Sequence, residues 1–480
     1  MGKIFIKTVA IIIAILFSFG TVKAQYNPYN LQELDFIITK IKNNYPAYAE
    51  KYNSGYEKLL LDVKKNIAGS KDSVYNFQQL IRPVLFFKDL HVRIGSVHPL
   101  LLDSAFYIKK LQEIKSKIPN NKSKEGYWKT DLDDYIIYLQ KSNGHKENLW
   151  EAVIVEANNK NIKPGSIKFY ITKNKIDKYS ITNYIGGNGN MTGLFSYFLS
   201  KDTLITDIFY KWTKIKDYHP NYLNQLKPVE EKVSLNIIDS NFIVVKVPKS
   251  SWATKTVVDS LVALNRPAIE KTPNLIIDIR NNTGGTWAVY RSLFPYIFTK
   301  PVIPGVGSYR CSEDFIDLLK ADIEKGKKDS SLAHFLPREM ELLDSMLQYK
   351  GGFYYSPPDT MKFDTSAIYP SAFPKKVIVL MNYKCASASE MFVQFCQQSK
   401  KAIIAGEKTW GAVDNVEIFS FNSPSGNTKL SIPRTRMLYG KNRTLDFIGI
   451  QPDVTIPSTE KDWYKYILNY LNKGNGPLPL

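Results

Sequence analysis

Cysteine and histidine are both scarce in this chain. Its 480 residues include only three cysteines and five histidines. Three cysteines allow at most one intramolecular disulfide, and a protein of this size does not need disulfides to hold its core. We therefore expect Cys311, Cys385 and Cys396 to be buried thiols. The CxxC and HExxH spacings are absent as well, so the sequence predicts neither a metal site nor a metal-dependent activity, and we expect no cofactor.

Long runs of like charge are also missing, although the chain is basic. Lys and Arg number 64 against 45 Asp and Glu, which gives a net charge of +19. The lysines are scattered, and no zinc-finger spacing, RNP-type aromatic motif or basic heptad region accompanies them, so we expect no nucleic-acid partner. The chain is 44% hydrophobic with 30 Tyr and 25 Phe, a composition that excludes wholesale disorder.

No apolar run is long enough to cross a membrane comfortably. The longest, residues 9–17, follows Lys3 and Lys7 and precedes Val22-Lys23-Ala24, whose small residues suit signal peptidase. The sequence therefore predicts a signal peptide over residues 1–24. We expect an exported protein, periplasmic or secreted, with no stable membrane span after cleavage.

The remaining chain changes its hydrophobic pattern twice. Residues 25–120 show helical spacing, with Pro83 predicting a kink or break, and residues 121–231 show period-two strands separated by turn residues. From 232 to 480, strands alternate with helices, which is typical of an α/β architecture. A charged helical stretch at about 311–350 is interpreted as a cap inserted into it. The predicted fold is α/β, with an N-terminal helical region and a small all-β module.

Two strand-to-loop junctions could carry chemistry. Residues 278–285 close a buried strand with Gly284 and Gly285, whose backbone N–H groups could form an oxyanion hole or simply an ordinary tight turn. Ser387 lies at a strand-to-helix turn, where the helix dipole favours developing negative charge. Alternatively Ser387 is only an N-cap, with Glu390 completing a capping box.

Together, these motifs resemble those of the C-terminal processing (tail-specific) serine peptidases. That family joins an Asp-Leu-Arg-Asn-Asn-x-Gly-Gly-like loop to an Ala-Ser-Ala-Ser-Glu turn, and residues 278–285 and 386–390 match these in order. Residues 404–411 and 449–454 look like two further family blocks. The resemblance covers roughly residues 235–460 and implies a crotonase-like catalytic core.

The resemblance also implies roles for particular residues. Ser387 would be the nucleophile, and the N–H of Ala388 with that of Gly284 or Gly285 would form the oxyanion hole. The better-known branch of the family has a Lys base where this chain has Ala412. Lys408 is nearby but lies outside the matching position.

A second branch, which is tricorn-core-like and retinoid-binding-protein-like, uses a histidine and a carboxylate. Asp89-Leu90-His91 resembles its Asp-Gly/Ser-His motif, and Asp446 looks like the counterpart of its Glu. By this resemblance His91 would take the Ser387 proton, and Asp446 would orient the imidazole or stabilise its charge. Without the serine motif, His91 would be interpreted as a core histidine.

The predicted function is that of an exported serine endopeptidase that cleaves peptide or protein substrates through a Ser387 acyl-enzyme. Two alternatives stay open: a non-catalytic relative that binds an apolar ligand or peptide, and an esterase with the same triad. Many relatives carry a PDZ domain where this chain has residues 121–231. No PDZ-like carboxylate-binding loop is recognisable there, and the ligand of the β-rich module stays open.

Overall fold

A computed structural model describes residues 27–472. It leaves out short internal segments: 100–103, 116, 118–122, 133, 144–147, 187, 208–209, 227–230, 301, 303–304, 330–332, 334–335, 358–371, 439–443 and 458. The predicted signal peptide, residues 1–24, lies outside the described residues. Within them, no helix combines the length and the apolar character needed to cross a membrane. The three cysteines are buried and free, as predicted.

Helices form the N-terminal region because apolar residues recur at helical spacing. Leu34, Ile37 and Ile41 line one buried face of the first helix, and Asn30 caps its N-terminus. Pro83 does not break its helix, which ends two residues later, although the proline lacks the N–H that would donate to the Gln79 carbonyl. The helices are α1 (Leu31–Asn44), α2 (Tyr48–Lys51), α3 (Ser54–Ala68), α4 (Ser73–Leu85) and α5 (Ser104–Lys115).

Strands follow, as the period-two pattern predicted. They are β1 (Arg93–Ser96), β2 (Gly126–Thr130), β3 (Tyr135–Lys141), β4 (Asn148–Ala157), β5 (Ile167–Ile176), β6 (Tyr179–Ile185), β7 (Met191–Ser200), β8 (Thr203–Thr206) and β9 (Tyr210–Lys214). From β2 to β9 each strand pairs antiparallel with the next, and β9 returns to pair with β2. Eight strands therefore close into a barrel, whose interior Trp128, Phe169 and Trp212 help to fill.

The barrel is not separated from the rest of the molecule. Strand β7 also pairs with β1, and β1 pairs with a strand near the C-terminus, β18 (Thr428–Leu438). In the described residues this produces one continuous sheet of 13 strands. The domain limits at 121 and 231 stay predictions, since hydrogen-bonded strands connect the β-rich region directly to the C-terminal part.

The C-terminal part is an α/β layer structure. Its strands are β10 (Ser234–Ile237), β11 (Phe242–Lys246), β12 (Asn274–Asp278), β13 (Val306–Arg310), β14 (Phe353–Tyr355), β15 (Lys376–Met381), β16 (Ala402–Gly406), β17 (Asn415–Asn422), β18 and β19 (Val454–Thr455). Its helices are α6 (Trp252–Leu264), α7 (Arg266–Ile269), α8 (Phe294–Ile297), α9 (Glu313–Lys328), α10 (Leu336–Gln348), α11 (Ala388–Cys396) and α12 (Trp463–Asn472). Helices α9 and α10 occupy the stretch predicted as a cap.

Six of these strands form a second sheet in the order β10-β11-β12-β15-β16-β19. All neighbours are parallel except β10 with β11. Ile277 faces one apolar cluster and Ile276 the other, so both faces are covered, which explains the continuous apolar runs in the sequence. Asp278 pairs with Leu380, so β12 and β15 end side by side and the loops that follow them meet.

Helix α11 is held by aromatic packing beneath these loops. Phe392 is fully buried and stacks on Tyr290 with a ring separation of 3.9 Å. We predict that Phe392→Ala lowers the free energy of unfolding by about 3–5 kcal/mol, because it deletes a large core side chain and leaves a cavity. Chemical denaturation followed by circular dichroism measures this. Val257→Ala, at an exposed position on α6, should change it by less than about 0.5 kcal/mol; equal effects would contradict the packing described.

Candidate active site

The two predicted loops are tied together by Asn282 and Ser389. The buried Asn282 side chain donates to the Val247 carbonyl and accepts from Ser250 Oγ at 3.0 Å. The Ser389 hydroxyl donates to the Asn282 carbonyl at 2.8 Å and accepts from the Ala386 N–H at 2.9 Å. These bonds fix the loop after β12 against the turn after β15, and the site is built where they meet.

Gly284 and Gly285 pass too close to their neighbours to carry side chains. Both have positive φ, +97° and +133°. A Cβ on Gly284 would lie 2.7 Å from the Cβ of Ser387, and one on Gly285 would lie 1.9 Å from the Ser250 carbonyl oxygen. The structure therefore brings the glycine loop into direct contact with the predicted nucleophile.

Ser387 lies at the N-terminus of α11 in an unusual backbone conformation. Its φ and ψ are 55° and −121°, a region that L-residues rarely adopt. The residue is partly exposed, whereas its neighbours Ala386 and Ala388 are buried. A partly exposed hydroxyl at the strained start of a helix is what a nucleophile needs, and an ordinary N-cap does not require this strain.

Glu390 holds that conformation in place. Its buried carboxylate accepts the N–H of Ser387 at 3.1 Å, of Gly411 at 2.9 Å and of Ala412 at 2.7 Å, and also the Thr409 hydroxyl. Burial raises the pKa of Glu390 to about 7, and these four donors oppose the rise by stabilising the carboxylate. The capping interaction predicted for Glu390 is thus one of four hydrogen bonds.

His91 shares a cavity of about 540 Å³ with Ser387. Gly284, Gly285 and Ala388 line the same cavity. His91 comes from the loop between α4 and β1, far from Ser387 in the chain, so the fold brings the predicted base and nucleophile to one cleft. Asp446 does not line it.

The nearest carboxylate to the His91 ring is that of Asp89. Asp89 Oδ1 accepts the backbone N–H of His91 at 2.8 Å and lies 3.9 Å from the ring nitrogen Nδ1. Asp89 Oδ2 accepts the Tyr45 hydroxyl at 2.8 Å. Burial lowers the pKa of His91, and the charge of Asp89 and the main chain of Asn415 partly offset this. His91 is therefore suited to be neutral, and able to accept a proton, near pH 7.

Asp446 lines a second cavity, of about 590 Å³. Its carboxylate accepts the N–H groups of Val413 and Asp414, both at 3.1 Å, and lies 3.7 Å from Lys51 Nζ. Burial and the neighbouring Asp89 raise the pKa of Asp446 well above its usual range. Among the interactions found for the described residues, both Asp446 and His91 interact with Asp89, and none joins Asp446 to the His91 ring.

Of the two glycine N–H groups, one is free among the described residues. The Gly284 N–H already donates to the Asn282 side chain at 3.0 Å. Among the described residues no partner is found for the N–H of Gly285 or of Ala388, and Ala388 is in the first turn of α11, where N–H groups have no helical acceptor. Of the two glycines named from the sequence, Gly285 is the available donor.

Sequence reasoning did not find the roles of Asn282, Ser389 and Asp89. Each was part of a quoted motif, but each also has a hydrogen-bond partner remote in the chain: Val247 for Asn282, Asn282 for Ser389, and Tyr45 for Asp89. Lys408 does not line the cavity, and its ammonium donates to the Ile448 carbonyl at 3.3 Å. Ala412 lines the cavity and offers no base.

Comparison with known families matches the region that contains Ser387 and the glycine loop. Residues 242–456 match the family described as Peptidase family S41. The chain therefore carries a serine peptidase domain of family S41, the family of C-terminal processing peptidases, and is a hydrolase. Its expected partners are accordingly peptides or proteins.

Solved structures that align with most of this chain share little sequence with it. Mature CPAF is 12% identical, with 93% of this chain and 96% of that chain covered and a TM-score of 0.49. A lipoprotein from Streptococcus agalactiae is 10% identical (92% and 96% covered, TM-score 0.40), and the photosystem II D1 C-terminal processing protease is 12% identical (89% and 93% covered, TM-score 0.36). No curated protein matches the chain by sequence.

The four hydrogen bonds of Glu390 lead to a stability prediction. The folded protein keeps the Glu390 proton up to about pH 7, whereas the unfolded chain releases it near 4.5, so this group's contribution to the free energy of unfolding falls between those pH values. We expect Glu390→Gln to flatten that slope. At pH 8 it should lower the free energy of unfolding by about 1–3 kcal/mol, since an amide cannot satisfy all four donors.

Chemical denaturation at several pH values measures both effects. Glu407→Gln, on the neighbouring segment and partly exposed, is the matched control and should behave as wild type. An unchanged slope and stability in Glu390→Gln would contradict the role given to this carboxylate.

Proposed function

We propose that this protein is an exported serine endopeptidase that hydrolyses peptide bonds through a Ser387 acyl-enzyme with His91 as the base. The observation that carries the proposal is the shared cavity, in which a strained, partly exposed serine meets a buried histidine and a glycine loop. The six-stranded sheet with its flanking helices is proposed to be a crotonase-like core. Export, to the periplasm or outside the cell, is proposed from the sequence of residues 1–24.

The reaction would proceed in two halves. In the first, His91 accepts the Ser387 hydroxyl proton as Oγ attacks the substrate carbonyl, and the proton then passes to the leaving amine as the peptide C–N bond breaks. In the second, His91 activates water to attack the resulting ester, which releases the acid and restores Ser387. Both halves need His91 neutral at the start, in agreement with the lowered pKa of its buried ring.

The negative charge that develops on the substrate oxygen would be stabilised by two backbone donors. We assign these to the N–H groups of Ala388 and Gly285, with the positive end of the α11 dipole behind them. The Asn282–Gly284 hydrogen bond supports this choice because it occupies the alternative donor. In this proposal Asn282 shapes the oxyanion site without touching the substrate.

Two carboxylates would support His91 in different ways. Asp89 anchors its backbone and lies nearest to the ring, so it would stabilise the imidazolium during catalysis. Asp446, named from the sequence for this role, would act on His91 only indirectly, through its interaction with Asp89, and would hold the 413–414 backbone.

A fluorophosphonate probe tests the nucleophile and base directly. We expect the wild-type protein to be labelled, and Ser387→Ala and His91→Ala to lose labelling and peptide hydrolysis by about 10⁴-fold, because triad members act as a unit. Ser431→Ala, a serine lining the same cavity, is the control and should be labelled normally.

The alternatives give other results. An absence of labelling in wild type, together with saturable binding of an apolar ligand that Ser387→Ala leaves intact, would indicate a binding protein. Labelling with hydrolysis of esters but of no peptide would indicate an esterase. Loss of labelling in Lys408→Ala with retention in His91→Ala would overturn the choice of base.

The pH dependence of labelling tests the state of His91. Since burial lowers its pKa from 6.5, the labelling rate should be at its plateau at pH 7 and fall to half at a pH below 6.5. Asp89→Asn should move this midpoint lower still, because the Asp89 charge favours the imidazolium. Asp35→Asn, an exposed carboxylate on α1, serves as the control and should not move it. A wild-type midpoint above 7 would contradict the assignment.

A further inference from the structure

Strand β17 has one free edge, and that edge borders the catalytic cavity. Among the described residues, β17 pairs with β18 and with no other strand. Val416, Glu417 and Ile418 of β17 line the cavity that contains Ser387 and His91. The main chain of Asn415, its first residue, interacts with the His91 ring. The free edge therefore begins at the base and runs along the cleft.

The hydrogen-bond alternation of the β17–β18 pair shows which backbone groups face the cleft. Ser423 N–H donates to the Thr428 carbonyl just beyond the strands. In an antiparallel pair, bonded positions alternate with non-bonded ones. Phe419 lies four residues before Ser423 and is opposite Ile432 in the same register, so Phe419 is also a bonded position. Ile418, the next residue, consequently turns its N–H and C=O away from β18. This alternation holds from Ile418 to Ser423; it reverses beyond Glu417, whose φ is positive, because Met437 N–H donates to the Asp414 carbonyl.

The hydrogen bonds on the opposite edge of β18 give the same orientation for Phe419 and Ile432 independently. Val97 N–H donates to the Asn427 carbonyl, so the positions of β18 that face β1 are Lys429 and Ser431. The positions facing β17 are then the alternate ones, including Ile432, in agreement with the assignment above. Ser420, opposite Ser431, shares the outward orientation of Ile418.

An open strand edge is normally a hazard, since it pairs with any extended chain. Here Glu417 interrupts the strand with a φ of +60°, and its carboxylate binds Thr435 Oγ1 at 2.6 Å and Arg434 Nη2 at 3.0 Å. The edge is thus irregular and lies beside a cleft, where a single peptide could reach it. Strand addition is a recurrent way of binding extended peptides through their main chain.

We infer that the free edge of β17 binds the substrate as an added strand, with the Ile418 N–H and C=O hydrogen-bonded to the peptide main chain. This inference rests on the proposed peptidase function and deepens it. The substrate class is an unfolded or extended polypeptide segment, recognised largely through its backbone. A compactly folded surface could not supply the backbone groups that this edge pairs with.

Removing the Ile418 N–H tests the inference from the side of the protein. Proline is tolerated on an edge strand where its missing N–H faces outward. We expect Ile418→Pro to lower kcat/KM for peptides about fivefold to tenfold, through KM, and to leave fluorophosphonate labelling intact, since the small probe has no peptide backbone. Ile418→Ala keeps the N–H and should lose much less, because this side chain is half exposed.

Ile237 provides a matched proline control. It lies at an outward position on β10, an edge strand of the six-stranded sheet, because the adjacent Ile238 N–H donates to the Phe242 carbonyl. Ile237→Pro should leave peptide hydrolysis unchanged. Equal peptide kinetics for Ile418→Pro and Ile418→Ala, with labelling intact in both, would overturn the inference.

A peptide scan keeps the test independent of how the proline variant folds. A hydrolysed peptide is resynthesised with single N-methyl groups that block one backbone N–H at a time. We expect alternate positions on one side of the cleaved bond to lose about fivefold to tenfold in kcat/KM. Uniform effects along the peptide would contradict strand addition.

The same scan separates this inference from the proposed function. Anisotropy of fluorescent peptides on Ser387→Ala measures binding without cleavage. If wild type neither labels nor hydrolyses, but binding retains the alternating N-methyl pattern, the peptidase proposal fails and strand addition stands. If wild type hydrolyses peptides but neither kinetics nor binding shows an alternating pattern, strand addition fails and the peptidase proposal stands.

Discussion

A single buried carboxylate determines the shape of the turn that carries Ser387, the candidate nucleophile. Glu390 gathers the N–H groups of Ser387, Gly411 and Ala412, which belong to two chain segments that would otherwise leave these donors unsatisfied. Unpaired buried N–H groups are costly, so the carboxylate fixes the strained Ser387 backbone relative to the 409–412 loop. The arrangement leaves a buried acid whose pKa is raised to about 7.

The same turn is braced from its other side by neutral hydrogen bonds. Asn282 and Ser389 connect it to the glycine loop, and the side-by-side ends of β12 and β15 bring the two within reach. Parallel strands place their carboxyl ends at one edge of the sheet, where loops from different parts of the chain can converge. The position of the site thus follows from the sheet, and its detail follows from a few buried side chains.

Sequence reasoning located this site better than it described it. The motifs around Ser387 and Gly284 are short runs of consecutive residues, so they can be recognised from the sequence without knowledge of the fold. Alternation identified β3, β4 and β5 as strands, but it does not identify strand neighbours, so barrel closure and the pairing of β1 with β18 could not be foreseen. Likewise, no spacing rule indicates that Asp89 rather than Asp446 lies nearest to the His91 ring.

The pairing of β1 with β18 joins the segment that carries His91 to the region that matches the peptidase family. His91 precedes the 242–456 region that matches the peptidase family, so the matched region alone lacks its candidate base. Two residues after His91, β1 enters its register with β18, with Arg93 opposite Ser431. Register in a sheet is discrete, because a slip of one residue turns every side chain to the other face. This pairing therefore fixes the His91 loop relative to β18, and the N-terminal helices and the barrel, which pack against β1, become part of the structure that builds the candidate site rather than separate attachments.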